Sequence, residues 1–180
     1  MCNVEHISGK LILNWGENGH GDQIQTFRYL QRLRELGGEV LVEANSELVG
    51  LFKNSPWPTQ VLPKGETVPE FDAHIAFMSL PRILFGKLGF YSETIPYLLP
   101  QEDKREHWQG VLSVVPGYRV GIVWAGNPVH KNDRNRSLRL ECLAPLAEIP
   151  GVSVVSVQKG AGESQVGDCP FPLIHLGSQI

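Results

Sequence analysis

The chain has 180 residues, 42% of them hydrophobic and 19% charged, with a formal net charge of −3. That is the balance of an ordinary globular protein, and it gives no support to a polyanionic nucleic-acid partner or to a disordered chain. Three cysteines, Cys2, Cys142 and Cys169, are odd in number and far apart, so neither a C-x-x-C metal site nor a redox pair is expected. No stretch approaches the roughly 18 apolar residues of a membrane span, and the polar start MCNVEHISGK does not read as a leader. The expectation is a cytoplasmic protein with reduced thiols.

In chain order, Lys10 to Trp15 (KLILNW) is a short apolar run that breaks into the glycine-rich GENGHGDQ. A helical pattern follows, with Ile24, Phe27, Leu30, Leu33 and Leu36 recurring every three residues until Gly37-Gly38 stops it. VLVEA then predicts a second strand, and Ser46 predicts the cap of a short helix through Leu48, Leu51 and Phe52. Thr59 to Leu62 and Phe71 to Phe77 predict a third and a fourth strand. Alternating strands and helices imply a mostly parallel sheet covered on both faces.

Between Tyr91 and Pro116 prolines, a charged run and one helix around Glu102 to Leu112 replace this rhythm, so the inter-domain connection is expected there. The rhythm restarts with YRVGIVW (118–124), the polar loop Ala125 to Ser137, and a helix whose face would carry Leu140, Leu143, Leu146 and Ile149. VSVVSV (152–157) and PLIHL (172–176) predict two more strands. The expected organisation is a first Rossmann-like domain over 1–90, a linker with a helix over 91–117, and a second Rossmann-like unit over 118–180. Three strands fall short of the mean sheet of about 5 to 6, so the second unit is expected to be incomplete, with apolar faces and an open strand edge that would favour self-association.

Open parallel sheets bind ligands beyond the carboxyl ends of their strands, which directs attention to three loops. The first, Gly16 to Gln23, offers close backbone approach at Gly19 and Gly21 and presents His20 and Asp22 at a helix start. Asp22 could equally be an N-cap. The glycine spacing is not that of a dinucleotide fingerprint. The second loop gathers His130, Lys131, Arg134 and Arg136 beside Asn127, Asn132 and Asn135. Cations where a helix begins suit a phosphate or diphosphate, and a solvated basic loop partly neutralised by Asp133 is the alternative. No aromatic residues interleave with the charges, as single-stranded nucleic acid would require. The third loop, Gln158-Lys159-Gly160-Ala161-Gly162, adds another lysine and flexible backbone.

The segments GHGDQIQTFRYLQRL, FDAHIAFMSLP, ETIPYL, YRVGIVWAGNPVHKNDRNRSL and VSVVSVQKG, in this order, resemble the catalytic region that follows tetratricopeptide repeats in bacterial glycosyltransferases. Those proteins are similar to O-linked N-acetylglucosamine transferases and to ADP-heptose:lipopolysaccharide heptosyltransferases. The resemblance implies a GT-B architecture, with two Rossmann-like domains facing a cleft, the acceptor side on the first and the nucleotide-sugar side on the second, and no required metal or cofactor. It also implies a nucleotide-sugar donor and an acceptor that is a protein or a saccharide. Asp22, on the Gly-Asp step, would be the base, with His20 as a second candidate. Lys131, Arg134 and Arg136 would offset charge on the leaving diphosphate, with Lys159 as a further cation, and Asn127 and Gln158 would orient sugar or phosphate oxygens. The chain departs from the family in having no upstream repeats, no Asp-Thr-Ala step before a later histidine, and His20 where an apolar residue is more usual. An incomplete transferase without turnover is therefore one expectation, and a non-catalytic binding or scaffolding module is the other.

Overall fold

The structure, a computed structural model, describes residues 6–17, 19–85 and 95–180. Cys2 lies outside these residues, as does 86–94, where the expected end of the first domain and start of the linker fall. The chain divides into two compact units, Met1–Arg105 and Glu106–Ile180, each a Rossmann-like α/β assembly of parallel strands and helices.

In the first unit, β1 (Leu11–Trp15), β2 (Glu39–Ala44), β3 (Gln60–Pro63) and β4 (Ala73–Ala76) form a parallel sheet in the order β3-β2-β1-β4. Helices α1 (His20–Phe27), α2 (Leu30–Glu35), α3 (Ser46–Lys53) and α4 (Leu80–Phe85) complete it. Alternate residues of the strands, Ile12, Val40, Val42, Val61 and Ile75, pack with Phe27, Leu30, Leu33, Phe52, Phe77 and Leu80 in one core. Phe27 stacks on Phe52 with ring centroids 4.1 Å apart. The segment after 94 is fastened to this unit. Asn54 Nδ2 donates to the carbonyls of Leu99 and Pro100, Trp57 Nε1 donates to that of Tyr97, and the Arg28 guanidinium lies 4.5 Å over the Tyr97 ring.

The single helix expected from Ile24 to Leu36 is two. Tyr29 N–H bonds back to the Thr26 carbonyl, three residues earlier, and Thr26 Oγ1 donates to the Asp22 carbonyl. Hydroxyl back-bonding of this kind competes with the helical ladder and bends it. The break also serves packing: three residues advance an α-helix by about 300°, so a strict three-residue repeat drifts roughly 60° per step off any one face. Splitting at Arg28-Tyr29 keeps Phe27, Leu30 and Leu33 all buried.

Helix α5 (Glu102–Ser113) buries no residue, and the boundary between the two units falls inside it. In the second unit β5 (Tyr118–Ile122), β6 (Val152–Ser156) and β7 (Ile174–His175) form a parallel sheet in the order β5-β6-β7. One core holds Ile122, Trp124, Leu140 and Val154, with Leu143, Leu146, Phe171 and Leu173 packed against it. The helix expected over Leu140 to Ile149 is instead a 3₁₀ turn, Leu140–Leu143, followed by the one-turn helix α6 (Ala144–Ala147). Leucines three apart match the 3.0-residue period of a 3₁₀ helix, and Ile149 stays half exposed. On the sheet's other side Val155, Val157 and Leu176, with Trp108 and Leu112 of α5, line a groove of about 650 Å³. Val123 is 61% exposed.

Candidate functional site

The carboxyl ends of β1, β2 and β3 are tied together around Gly16. Its N–H donates to the Glu43 carbonyl at 2.9 Å, and its own carbonyl accepts Lys64 Nζ at 3.2 Å. A Cβ at Gly16 would stand 2.6 Å from the Gln23 side-chain amide, so any larger residue would force that buried amide to move. Gln23, fully buried in α1, accepts from the Asn45 N–H at 3.2 Å and links the starts of α1 and α3. The loop that carries the expected chemistry is thus held at both its backbone and its neighbours.

Asp22 is not the N-cap of α1. That position is Gly19, and Asp22 sits within the first turn, half-buried, with no side-chain hydrogen bond or ion pair among the described residues. Nor is Ser46 the cap of α3: Asn45 holds that place and Ser46 is the first helical residue. Gly19 and Gly21 are exposed, and added Cβ atoms there would meet nothing closer than Asp22 Oδ2 at 4.0 Å, which leaves their backbone open to approach. His20, the first residue of α1, places Nε2 3.3 Å from Oε2 of Glu47 in the first turn of α3. The Glu47 carboxyl is held below the ordinary glutamate range, first by its own backbone N–H and then by His20. Glu47 and Lys64 were not anticipated from the sequence. The spacing Asn45-Ser46-Glu47 announces a helix start but not which loop it faces.

In the second unit the loop after β5 leaves at Trp124 and is closed at its base by the Leu138 N–H to Trp124 carbonyl bond of 2.7 Å. Inside it Asn127 Oδ1 accepts from Val129 N–H, His130 Nδ1 accepts from Asn132 N–H, and Ser137 Oγ donates to Asp133 while accepting from Gly126 N–H. The neutral and acidic side chains therefore build the loop. The side chains of Lys131, Arg134 and Arg136 do not: all three are exposed and form no ion pair or hydrogen bond among the described residues. The helix expected to begin beside them is absent, since the loop makes only a 3₁₀ turn at Asp133–Asn135 and α6 starts at Ala144.

Gln158, expected to orient sugar or phosphate oxygens, is turned into the protein. It is 2% exposed, its Oε1 accepts from the N–H groups of Trp124 and Ala125, and its Nε2 donates to the carbonyls of Ala125 and Lys159, at 2.9–3.0 Å. All the hydrogen-bonding capacity of the amide is spent on backbone. Lys159 Nζ donates to the carbonyl oxygen of Ile180. Beside Gln158, His175 Nδ1 lies 3.1 Å from Ser156 Oγ and its Nε2 lies 3.5 Å from Glu163. Ser156 is fully buried and also accepts the Gln158 N–H, so this constellation braces β6 against β7 and offers no accessible nucleophile. Among the described residues no group of three or more His, Cys, Asp or Glu side chains could hold a metal ion, and no helix is long and apolar enough to cross a membrane.

The fold and rims define a Rossmann-like α/β protein whose strand ends carry a glycine-rich loop in one unit and a cationic loop in the other. No protein-family model, curated protein or solved structure matches the chain.

Proposed function

We propose that this protein belongs with the GT-B glycosyltransferases and handles a nucleotide sugar, transferring its sugar to an acceptor hydroxyl on a protein or saccharide. The observation that carries the reading is the cationic loop: Lys131, Arg134 and Arg136 stand unpaired, among the described residues, beyond the carboxyl end of a parallel strand. Three unneutralised cations on a loop whose base is closed by hydrogen bonds suit a diphosphate, because their charge is not already offset by a carboxylate and Arg and Lys are the side chains that pair with phosphate oxygens. The acceptor hydroxyl needs a base, and the start of α1 offers two groups, Asp22 and His20. The resemblance of the GHGDQIQTFRYLQRL and WAGNPVHKNDRNRS segments to the transferase family supports the same assignment. The unpaired thiols of Cys142 and Cys169 suit a cytoplasmic setting.

The test is binding followed by turnover. UDP, GDP or ADP should raise the melting temperature of the protein, and Lys131→Ala with Arg134→Ala should abolish that rise. A wild-type protein indifferent to all three nucleotides would sink the reading. Binding without transfer or hydrolysis from any UDP-, GDP- or ADP-sugar would identify a binding module in place of an enzyme.

A further inference from the structure

We infer that His20 is the group that takes the acceptor proton and that Glu47 is its positioning residue, an inference that rests on the transferase reading above. His20 opens α1 at the carboxyl end of β1, and its Nε2 lies 3.3 Å from Glu47 Oε2 at the start of α3. Two exposed side chains paired on a wet surface add little to stability, so the pair is better understood through what it does to the imidazole. A carboxylate at Nε2 keeps the proton of the neutral ring on that nitrogen and leaves the lone pair on Nδ1. Among the described residues Nδ1 has no hydrogen-bond partner.

The backbones that carry the pair are fastened to each other. The buried Gln23, one turn further along α1, accepts from the Asn45 N–H that precedes α3, and Gly16 packs directly on the Gln23 amide. The two helix starts are therefore fastened to each other beneath the pair. Asp22 has no comparable partner to fix its direction among the described residues. Imidazole is also the stronger base of the two types near neutral pH, where general-base efficiency is greatest.

In the step this implies, the acceptor O–H gives its proton to His20 Nδ1 while its oxygen forms the new bond to the anomeric carbon. The bond from that carbon to the donor phosphate oxygen breaks, and its electron pair leaves on the nucleoside diphosphate. The imidazolium that results is balanced by the Glu47 carboxylate.

Two measurements on the full chain test this. In nitrogen-15 spectra of histidine-labelled protein, neutral His20 should be mainly the Nε2–H tautomer, and Glu47→Ala should shift it toward a mixture. With whichever UDP-, GDP- or ADP-sugar supports turnover, His20→Asn should lower kcat about 10²- to 10⁴-fold. Glu47→Ala should lower kcat by a smaller factor, with the donor KM unchanged in both. Both side chains are exposed, so neither substitution threatens the core. An unaltered tautomer in Glu47→Ala overturns the positioning role. Retained turnover in His20→Asn alongside lost turnover in Asp22→Asn overturns the base assignment. No turnover from any donor overturns the transferase reading and the base role with it, while the tautomer result still decides separately whether Glu47 positions His20.

Discussion

Replacing Gln158 by leucine should cost the second unit a large part of its stability. The side chain is 2% exposed and makes four hydrogen bonds to backbone groups, two to the N–H groups of Trp124 and Ala125 and two to the carbonyls of Ala125 and Lys159. Leucine fills similar space but leaves all four groups to find water, and Trp124 is itself 2% exposed. A buried group stranded in this way costs about 1–3 kcal/mol, while those of half-buried Ala125 recover part of the loss through solvent. The sum is on the order of 3–5 kcal/mol. At roughly 0.05–0.15 kcal/mol per residue, a unit of this size has about 4–11 kcal/mol in total. Because the chain holds two units, a single global transition is not assured, and hydrogen exchange at the Trp124 and Ala125 amides is the appropriate local assay. Their protection should fall on the order of 10²- to 10³-fold. Gln158→Glu should be at least as damaging at neutral pH, since it turns a carboxylate oxygen toward two carbonyls. A loss of protection under about fivefold in Gln158→Leu would refute the claim that this side chain holds the strand ends together.

Gly177→Ala should fail in the same region for steric reasons: its Cβ would lie 1.8 Å from the Gln158 carbonyl oxygen. Poor expression or a melting temperature several degrees lower is the expected result, and wild-type thermal behaviour would contradict it. Gly16→Ala should displace the Gln23 amide, which its Cβ would approach to 2.6 Å, and expose the Asn45 amide to exchange. The Glu47 carboxyl titrates below its ordinary range, so what it contributes to the fold is present above the unfolded-state pKa and lost as pH falls through the lowered folded-state value. In His20→Ala, carbon-13 carboxyl shifts should show that midpoint rising only partway, because the larger cause, the backbone N–H, remains. An unmoved midpoint would mean that the His20 contact is not formed.

The alternation of strands with helices and the parallel sense of the sheets were legible because β-branched runs separated by polar turns leave few alternatives; the sheet order β3-β2-β1-β4 was not. Lengths were not. PLIHL reads as a five-residue strand, yet only Ile174 and His175 pair with β6, since Gly177 turns the chain directly against the Gln158 carbonyl. Helix continuity was misread at Ile24 to Leu36 and at Leu140 to Ile149 for one reason. A three-residue spacing satisfies a broken α-helix or a 3₁₀ turn as well as it satisfies a continuous helix, and sequence periodicity cannot say which backbone will supply the burial. Pro145 within the second of these stretches stands where α6 begins, as expected of proline in a first helical turn.

The candidate site divides along the same line. Lys131, Arg134 and Arg136 could be singled out because charge on a long loop needs no tertiary knowledge to be noticed. Gln158 shows the converse: an amide in a loop reads as a ligand contact, and its burial against backbone is visible only in the structure. What the sequence concealed is that both units solve one problem alike. Each places a buried glutamine beneath the loop that leaves its first strand: Gln23 in the first unit accepts from one main-chain N–H, and Gln158 in the second makes four bonds to main chain. Each glutamine is packed by a glycine where a Cβ would force the amide to shift, Gly16 on Gln23 and Gly162 on Gln158. A loop fastened from below fixes its backbone without drawing on the side chains of its rim, which leaves Asp22 in the first unit and Lys131 in the second without a partner among the described residues. In each unit the support lies in backbone that the glutamine holds, and that makes the two glutamines, rather than the cations, the first residues to mutate when separating fold from function.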